Sequence, residues 1–148
     1  MERVPRSINE RRVFIDTSAF LAHIDRNDGS YIEAGAIVDR LIKGRYRLFT
    51  TVYVVVETHA SLMRAINPSA ARQFLASGLG GISLLRTSIE DEEQAKALIL
   101  QRTDKSYSFC DAISFGVMQR SGMYLAFAFD DHFRQFGLST PIGSADWP

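Results

Sequence analysis

Four acidic residues occupy positions where an acid has to be explained. Asp16 closes the apolar run "RRVFID", and Asp130 closes "YLAFAF". Glu57 follows "VYVVV", and Asp111 lies inside "SFCDAISF". If the two runs are parallel strands, Asp16 and Asp130 leave the sheet at the same end. Glu57 and Asp111, near the starts of helices on that side, can converge on the same mouth. Carboxylates brought within a few ångströms raise one another's pKa, and burial adds a desolvation cost. A divalent cation removes both difficulties, and an all-oxygen anionic donor set suits Mg²⁺ or Mn²⁺. Such an ion activates water and neutralises charge on a phosphate, so the chemistry implied is phosphodiester hydrolysis.

Each acid also has an ordinary structural reading. Asp16 before a helical run is a standard N-cap. Glu57 fits the solvent side of an amphipathic helix. Asp111, flanked by Phe109, Cys110, Ala112 and Ile113, requires a partner if it is buried. The convergence argument therefore depends on the elements that carry these residues.

Those elements alternate. "RRVFID" reads as a strand and "TSAFLAHI" as a helix. The next helix, "DGSYIEAGAIVDRLIKG", places Ile32, Ala36, Ile37 and Leu41 on one face and stops at Gly44. "RYRLFTTVYVVVETHASLMRAI" is too long for one strand, so it divides at Thr50 or Thr51 into a strand and a capped helix. Pro68 opens a helix that Gly78, Gly80 and Gly81 end. "ISLLR" is a third strand, and Ser88 caps the acidic-first helix "IEDEEQAKALILQR". "SFCDAISFGVMQRSG" is apolar nearly all round, which predicts a buried helix. "YLAFAF" is a fourth strand, "DHFRQF" a helical turn and "TPI" a last strand. This order predicts an α/β domain with a mainly parallel sheet and helices on both faces, and ligands bind at the strand ends of that class.

At 148 residues the chain accommodates one domain, with residues 1–11 as a flexible N-terminal segment. Equal numbers of basic and acidic residues, 17 each, argue against coating nucleic acid by bulk charge while leaving room for a local basic patch. A single cysteine, Cys110, excludes an internal disulfide and a cysteine-based zinc site, and reads as a small core residue. The N-terminal stretch has no apolar core of a secretory signal, and no run reaches the roughly 20 apolar residues of a membrane span. A cytoplasmic protein is expected.

The segments "FIDTSAF", "TTVYVVVET", "SFCDAISF" and "AFAFDDHF" resemble, in order and separation, the four acidic motifs of PIN-domain nucleases. The small single-domain type, including the toxins of VapBC-type toxin–antitoxin pairs, is the nearest likeness, and it spans roughly Val13 to Ile142. The resemblance implies a three-layer α/β/α fold with about five mainly parallel strands. It implies metal-ligating, catalytic roles for Asp16, Glu57, Asp111 and Asp130. Ser18 and Thr17 match the small hydroxyl residue after the first acid, and Phe133 matches the aromatic three places after the last. Asp131 is then a substrate-side candidate that opens the following turn. The implied activity is Mg²⁺- or Mn²⁺-dependent endoribonuclease cleavage leaving a 5′-phosphate. The implied partners are RNA, an antitoxin protein and a second copy of the chain. The family position occupied by Tyr31 departs from the more usual polar residue.

Other polar residues have simpler readings. His23, His59 and His132 form no metal-ligand spacing, and His132 reads as solvated. Asp25 and Asp28 are turn formers around Gly29. Lys105 is a candidate phosphate contact in a loop otherwise read as solvated. Arg11, Arg12, Lys43, Arg45, Arg47 and Arg134 are candidates for RNA backbone contact. Alternative functions are a stand-alone RNA-processing nuclease and a non-catalytic RNA- or protein-binding module of the same fold. A phosphatase of the haloacid dehalogenase type expects a second Asp where Ser18 stands, and a receiver domain expects an acid pair at Asp16.

Overall fold

A computed structural model describes residues 11–142 and 147–148. The elements run β1 (Arg12–Ile15), α1 (Thr17–Ile24), α2 (Tyr31–Lys43), β2 (Arg47–Thr51), α3 (Val52–Ala65) and α4 (Pro68–Ser77). They continue with β3 (Ile82–Leu85), α5 (Ile89–Gln101), α6 (Phe109–Arg120), β4 (Leu125–Phe127) and α7 (His132–Gln135). The sheet order is β3-β2-β1-β4, every pair parallel, so all four strands begin at one end and finish at the other. Ser139 adds a parallel bridge to Leu125, at the side where a fifth strand was expected from "TPI". The pairing involves Ser139 alone, the residue before that segment.

The boundaries follow local chemistry. Thr51 ends β2 and caps α3, its hydroxyl accepting from Val54 N at 3.3 Å, so the long β-branched segment divides where the sequence predicts. Asn67 caps α4, with Pro68 in the first turn, where its missing N–H costs nothing. Gly81, at φ 77°, makes the left-handed turn into β3 that a side chain would oppose. On α2 the buried residues are Ala34, Ile37 and Leu41, whereas Ile32 is 85% exposed and Ala36 is also exposed. The expected apolar face is thus rotated, because Ile32 lies in the first turn, beyond the reach of the sheet and α1.

The strand β4 is shorter than "YLAFAF" suggests. It leaves the ladder after Phe127, and Phe129 N donates to Ser18 Oγ at 3.0 Å instead of to a neighbouring strand. Asp130 therefore lies three residues beyond the strand and not at its tip. The N-terminal segment at 1–10 lies outside the described residues. Arg11 is held, its carbonyl accepting from Arg47 N at 2.8 Å and its guanidinium donating to Gly44 O at 3.1 Å.

Helices α1–α4 pack as one set through α1 against α2 and α3, and α3 against α4; α5, α6 and α7 form the other. Buried Asp91 joins α5 to α6 by accepting two bonds of 2.9 Å from Arg120. An aromatic cluster fixes α7: Phe133 stacks on Phe14 and meets Phe115 edge-on at 4.9 Å, while Phe115 stacks on Phe136 at 4.4 Å. Tyr107 closes it, edge-on to Phe115 at 5.0 Å and to His132 at 5.7 Å. Among the described residues no helix is long and apolar enough to cross a membrane.

Phe133 has no exposed surface and anchors the segment that follows β4. The Phe133→Ala variant is expected to lose about 3–5 kcal/mol, as large-to-small core replacements do. Urea denaturation measures this, and a loss under about 1 kcal/mol would mean α7 is not docked as described.

Candidate metal centre

The end of the sheet where the strands finish is built from three backbone devices. Asp16 N donates to Phe127 O at 3.0 Å, which carries β1 pairing with β4 one residue past the strand. Its side chain then caps α1, Oδ2 accepting from Ser18 N at 3.1 Å and from Ser18 Oγ at 2.7 Å. Ser18 Oγ in turn accepts from Phe129 N, so one hydroxyl ties Asp16 to the chain that delivers Asp130. Thus Asp16 is both a cap and a member of the site.

Asp111 is the third residue of α6 and closes a capping box. Ser108 Oγ accepts from Asp111 N at 3.0 Å, and Asp111 Oδ2 accepts from Ser108 N at 3.1 Å. The same Oδ2 lies 2.7 Å from His132 Nδ1. Asp130 Oδ1 accepts from His132 N at 3.1 Å, and its carboxyl stands near enough to that of Asp16 for each to act on the other's charge. One ligand atom from each of Asp111, Asp130 and His132 lies within 4.8 Å of the others.

The electrostatics follow from this crowding. Asp16 is 3% exposed, and its pKa is pushed up to about 8 by burial first and by Asp130 next, against the bonds from Ser18. Asp130 is also raised, by burial and then by the charge of Asp111. Two neighbouring carboxyls whose pKa values are both raised are costly to ionise together, a cost that a bound cation would lower. The donor set, buried Asp111 and half-buried Asp130 with one imidazole beside them, fits a hard divalent ion such as Mg²⁺ or Mn²⁺.

The remaining predicted residues are placed as follows. Glu57 is exposed on α3, outside the 4.8 Å group, and close enough to Cys110 for its charge to act on that thiol. Burial foremost, and then Glu57, Asp16 and Asp111, raise the pKa of that thiol, which keeps Cys110 an inert spacer between Glu57 and the cluster. Thr17 is buried and its hydroxyl meets Thr58 Oγ1 at 3.4 Å, which makes it a contact between α1 and α3. Asp131 is exposed, pairs with Arg134 and starts α7 through its carbonyl, which accepts from Gln135 N at 2.9 Å. Lys105 precedes α6, and the charge it influences is that of Asp104. His132, read from sequence as solvated, is half-buried and bonded to Asp111. Its only sequence signal was the Asp-x-His spacing, which puts its N–H within Asx-turn reach of Asp130.

Residues 13–138 match the PIN domain family model. The chain is 32% identical over 128 residues to the 23S rRNA-specific endonuclease VapC20 of Mycobacterium tuberculosis, in strains CDC 1551 / Oshkosh and ATCC 25618 / H37Rv. That alignment covers 85% of this chain and 95% of the relative. The crystal structure of M. tuberculosis VapC20, a sarcin-ricin loop cleaving toxin, superimposes with a TM-score of 0.77 at 29% identity. It covers 86% of this chain and 96% of VapC20. A parallel sheet in the order β3-β2-β1-β4, acids gathered where its strands end, and a family match over nearly the whole chain agree: this protein belongs to the PIN-domain family.

Proposed function

We propose that the protein is a Mg²⁺- or Mn²⁺-dependent endoribonuclease, the toxin of a toxin–antitoxin pair. The observation that carries this reading is the carboxyl cluster at the strand ends, where Asp111 and Asp130 place ligand atoms within 4.8 Å of each other and of His132, and Ser18 ties buried Asp16 to the segment that delivers Asp130. The relatives' cleavage of ribosomal RNA supports RNA as the polymer.

In this reading Asp16, Asp111 and Asp130 hold the ion, and Glu57 completes the acidic set from the exposed rim. A bound divalent ion supplies charge neutralisation at the scissile phosphate and a water of lowered pKa. The chain's own contribution is preorganisation. Asp111 Oδ2 is fixed by Ser108 N and His132, which sets the orientation of a carboxylate that would hold the ion. Asp130 Oδ1 is fixed by His132 N, so His132 positions two acids, one through its ring and one through its backbone. Ser18 sets Asp16 in the same way.

The antitoxin belongs to the same proposal. An apolar cavity of about 480 Å³ starts beside Ile15 and Phe127, next to Asp16, and runs past Phe20 and Phe74 to Ile42. An amphipathic partner helix would find there the groove such helices use. Homodimerisation is also part of this reading, and sedimentation measures it directly.

Purified protein is expected to cleave RNA with Mn²⁺ and to lose that activity in EDTA. Asp111→Asn is expected to slow cleavage by about 100-fold or more, the scale of lost metal-centred charge stabilisation. Full activity in EDTA, or in Asp111→Asn, would sink the mechanism.

His132→Ala is expected to weaken Mn²⁺ binding by about 10-fold, as removal of a group orienting a ligand does, with His132→Gln partly restoring it. Titration calorimetry measures the affinity; unchanged binding in His132→Ala would leave the ring no positioning role.

The metal-free protein has a definite pH dependence. The folded pKa of Asp16, about 8, exceeds the ordinary 3.8, so the folded state retains a proton the unfolded chain has released. Stability in EDTA is therefore expected to fall progressively as pH rises from about 4 to about 8. Asp16→Asn or saturating Mn²⁺ should flatten this trend in urea midpoints. Midpoints that rise across that range in EDTA would contradict the raised pKa of Asp16.

A further inference from the structure

The sheet has a second charged end. Parallel pairing places the first residues of β1 and β2 side by side, with Arg12 in register with Arg47. The last turn of α2 reaches the same corner with Arg40 and Lys43. Arg11 links the pieces, through its carbonyl to Arg47 N and through its guanidinium to Gly44 O. The corner thus gathers Arg11, Arg40, Lys43, Arg45 and Arg47, with Asp39 as the acid within this stretch of sequence. Arg40, Lys43, Arg45 and Arg47 are exposed, and none forms an ion pair among the described residues. In a chain whose charges sum to zero, this is a marked local excess.

Folding explains only part of it. Arg40 and Lys43 suit the C-terminal end of a helix, where cations complement the dipole. Arg45 and Arg47 lie beyond the helix. Arg45 adopts φ 56°, the left-handed conformation that glycine or asparagine ordinarily occupies. Its N–H is committed to Ile42 O at 3.0 Å, which holds the turn and projects an arginine where the fold would prefer none.

We propose that this corner is a second RNA-binding surface, contacting phosphates of the duplex that flanks the cleaved strand. The inference rests on the reading of the protein as a ribonuclease. The four residues of β1, at roughly 3.3 Å each, separate Arg12 from Asp16 by roughly 13 Å. These arginines therefore do not touch the phosphate being cut. An RNA whose looped strand enters the carboxylate pocket can lay its flanking helix across the domain to this corner. Arginine forks suit phosphate pairs, and contacts to the backbone of A-form RNA read shape without sequence. The surface selects a folded RNA over a short single strand with the same cleavage sequence.

The test compares wild type with the triple variant Lys43→Gln/Arg45→Gly/Arg47→Gln, and with Arg40→Gln should the triple variant fail to fold. Binding is measured by fluorescence anisotropy in an Asp111→Asn background, with a structured 23S rRNA fragment and with a short single-stranded oligonucleotide. The triple variant is expected to bind the structured fragment about 10-fold more weakly and to lower the salt slope by about 2–3, each cation lost removing about one. Oligonucleotide binding, and its cleavage in the Asp111 form, should be unchanged. Equal affinity and salt slope for the structured fragment would overturn the proposal, as would an equal loss on the oligonucleotide. Absence of any RNA cleavage by wild type would instead defeat the ribonuclease reading, while the binding comparison would still decide whether this corner holds RNA.

Discussion

The structure depends on a repulsion that the fold creates and only partly relieves. Parallel pairing sends Asp16 and the chain beyond β4 out of the sheet at one end, and α6 begins there with Asp111. Burial and the neighbouring acids raise the pKa of both Asp16 and Asp130, so the two are costly to ionise together. The ring of His132 bonds Asp111 beside them. The site is in this sense unfinished as a folded object. Burial of Asp16 against a neighbouring acid is a cost that the surrounding packing has to offset.

Around this centre the rest of the molecule acts as a clamp. The aromatic cluster of Phe14, Tyr107, Phe115, Phe133 and Phe136 comes from separate parts of the chain, and its edge is the ring of His132. Packing therefore fixes the one side chain that touches Asp111 and whose backbone touches Asp130. On the other side, Ser18 joins α1 to the segment after β4 with a single hydroxyl. Dispersion and a few well-aimed hydrogen bonds together hold like charges closer than they would settle alone.

Much of this was legible in the sequence, and the parts that were not have physical reasons. Strand and helix alternation showed because apolar runs and caps are local; Thr51 and Ser88 cap where the sequence predicts, and the structure adds Asn67 and Ser108, which the sequence reading did not name. The convergence of Asp16, Asp111 and Asp130 followed from parallel topology, which alternation implies. The early exit of β4 was hidden, because Phe129 looks like a strand residue until a hydroxyl from α1 takes its N–H. The face of α2 was misread at Ile32, since spacing cannot tell where a helix outruns its neighbours. His132 was missed because its value depends on Tyr107 and Asp111, which lie 25 and 21 residues away in sequence. The basic residues could be named but not grouped: Arg11, Arg12, Lys43, Arg45 and Arg47 lie at the end of the sheet opposite the acids, whereas Arg134 lies on α7 and pairs with Asp131.

One consequence concerns what a set of acids can tell an observer comparing related chains. Asp16 caps α1, Asp111 closes the box that starts α6, and Asp130 turns the chain into α7. A descendant that abandoned catalysis would still lose helix starts by losing them, so their retention testifies first to folding. Glu57 caps none of the described helices and is exposed. The acid that looks least committed in the metal-free fold is therefore the one whose survival would speak most directly of chemistry.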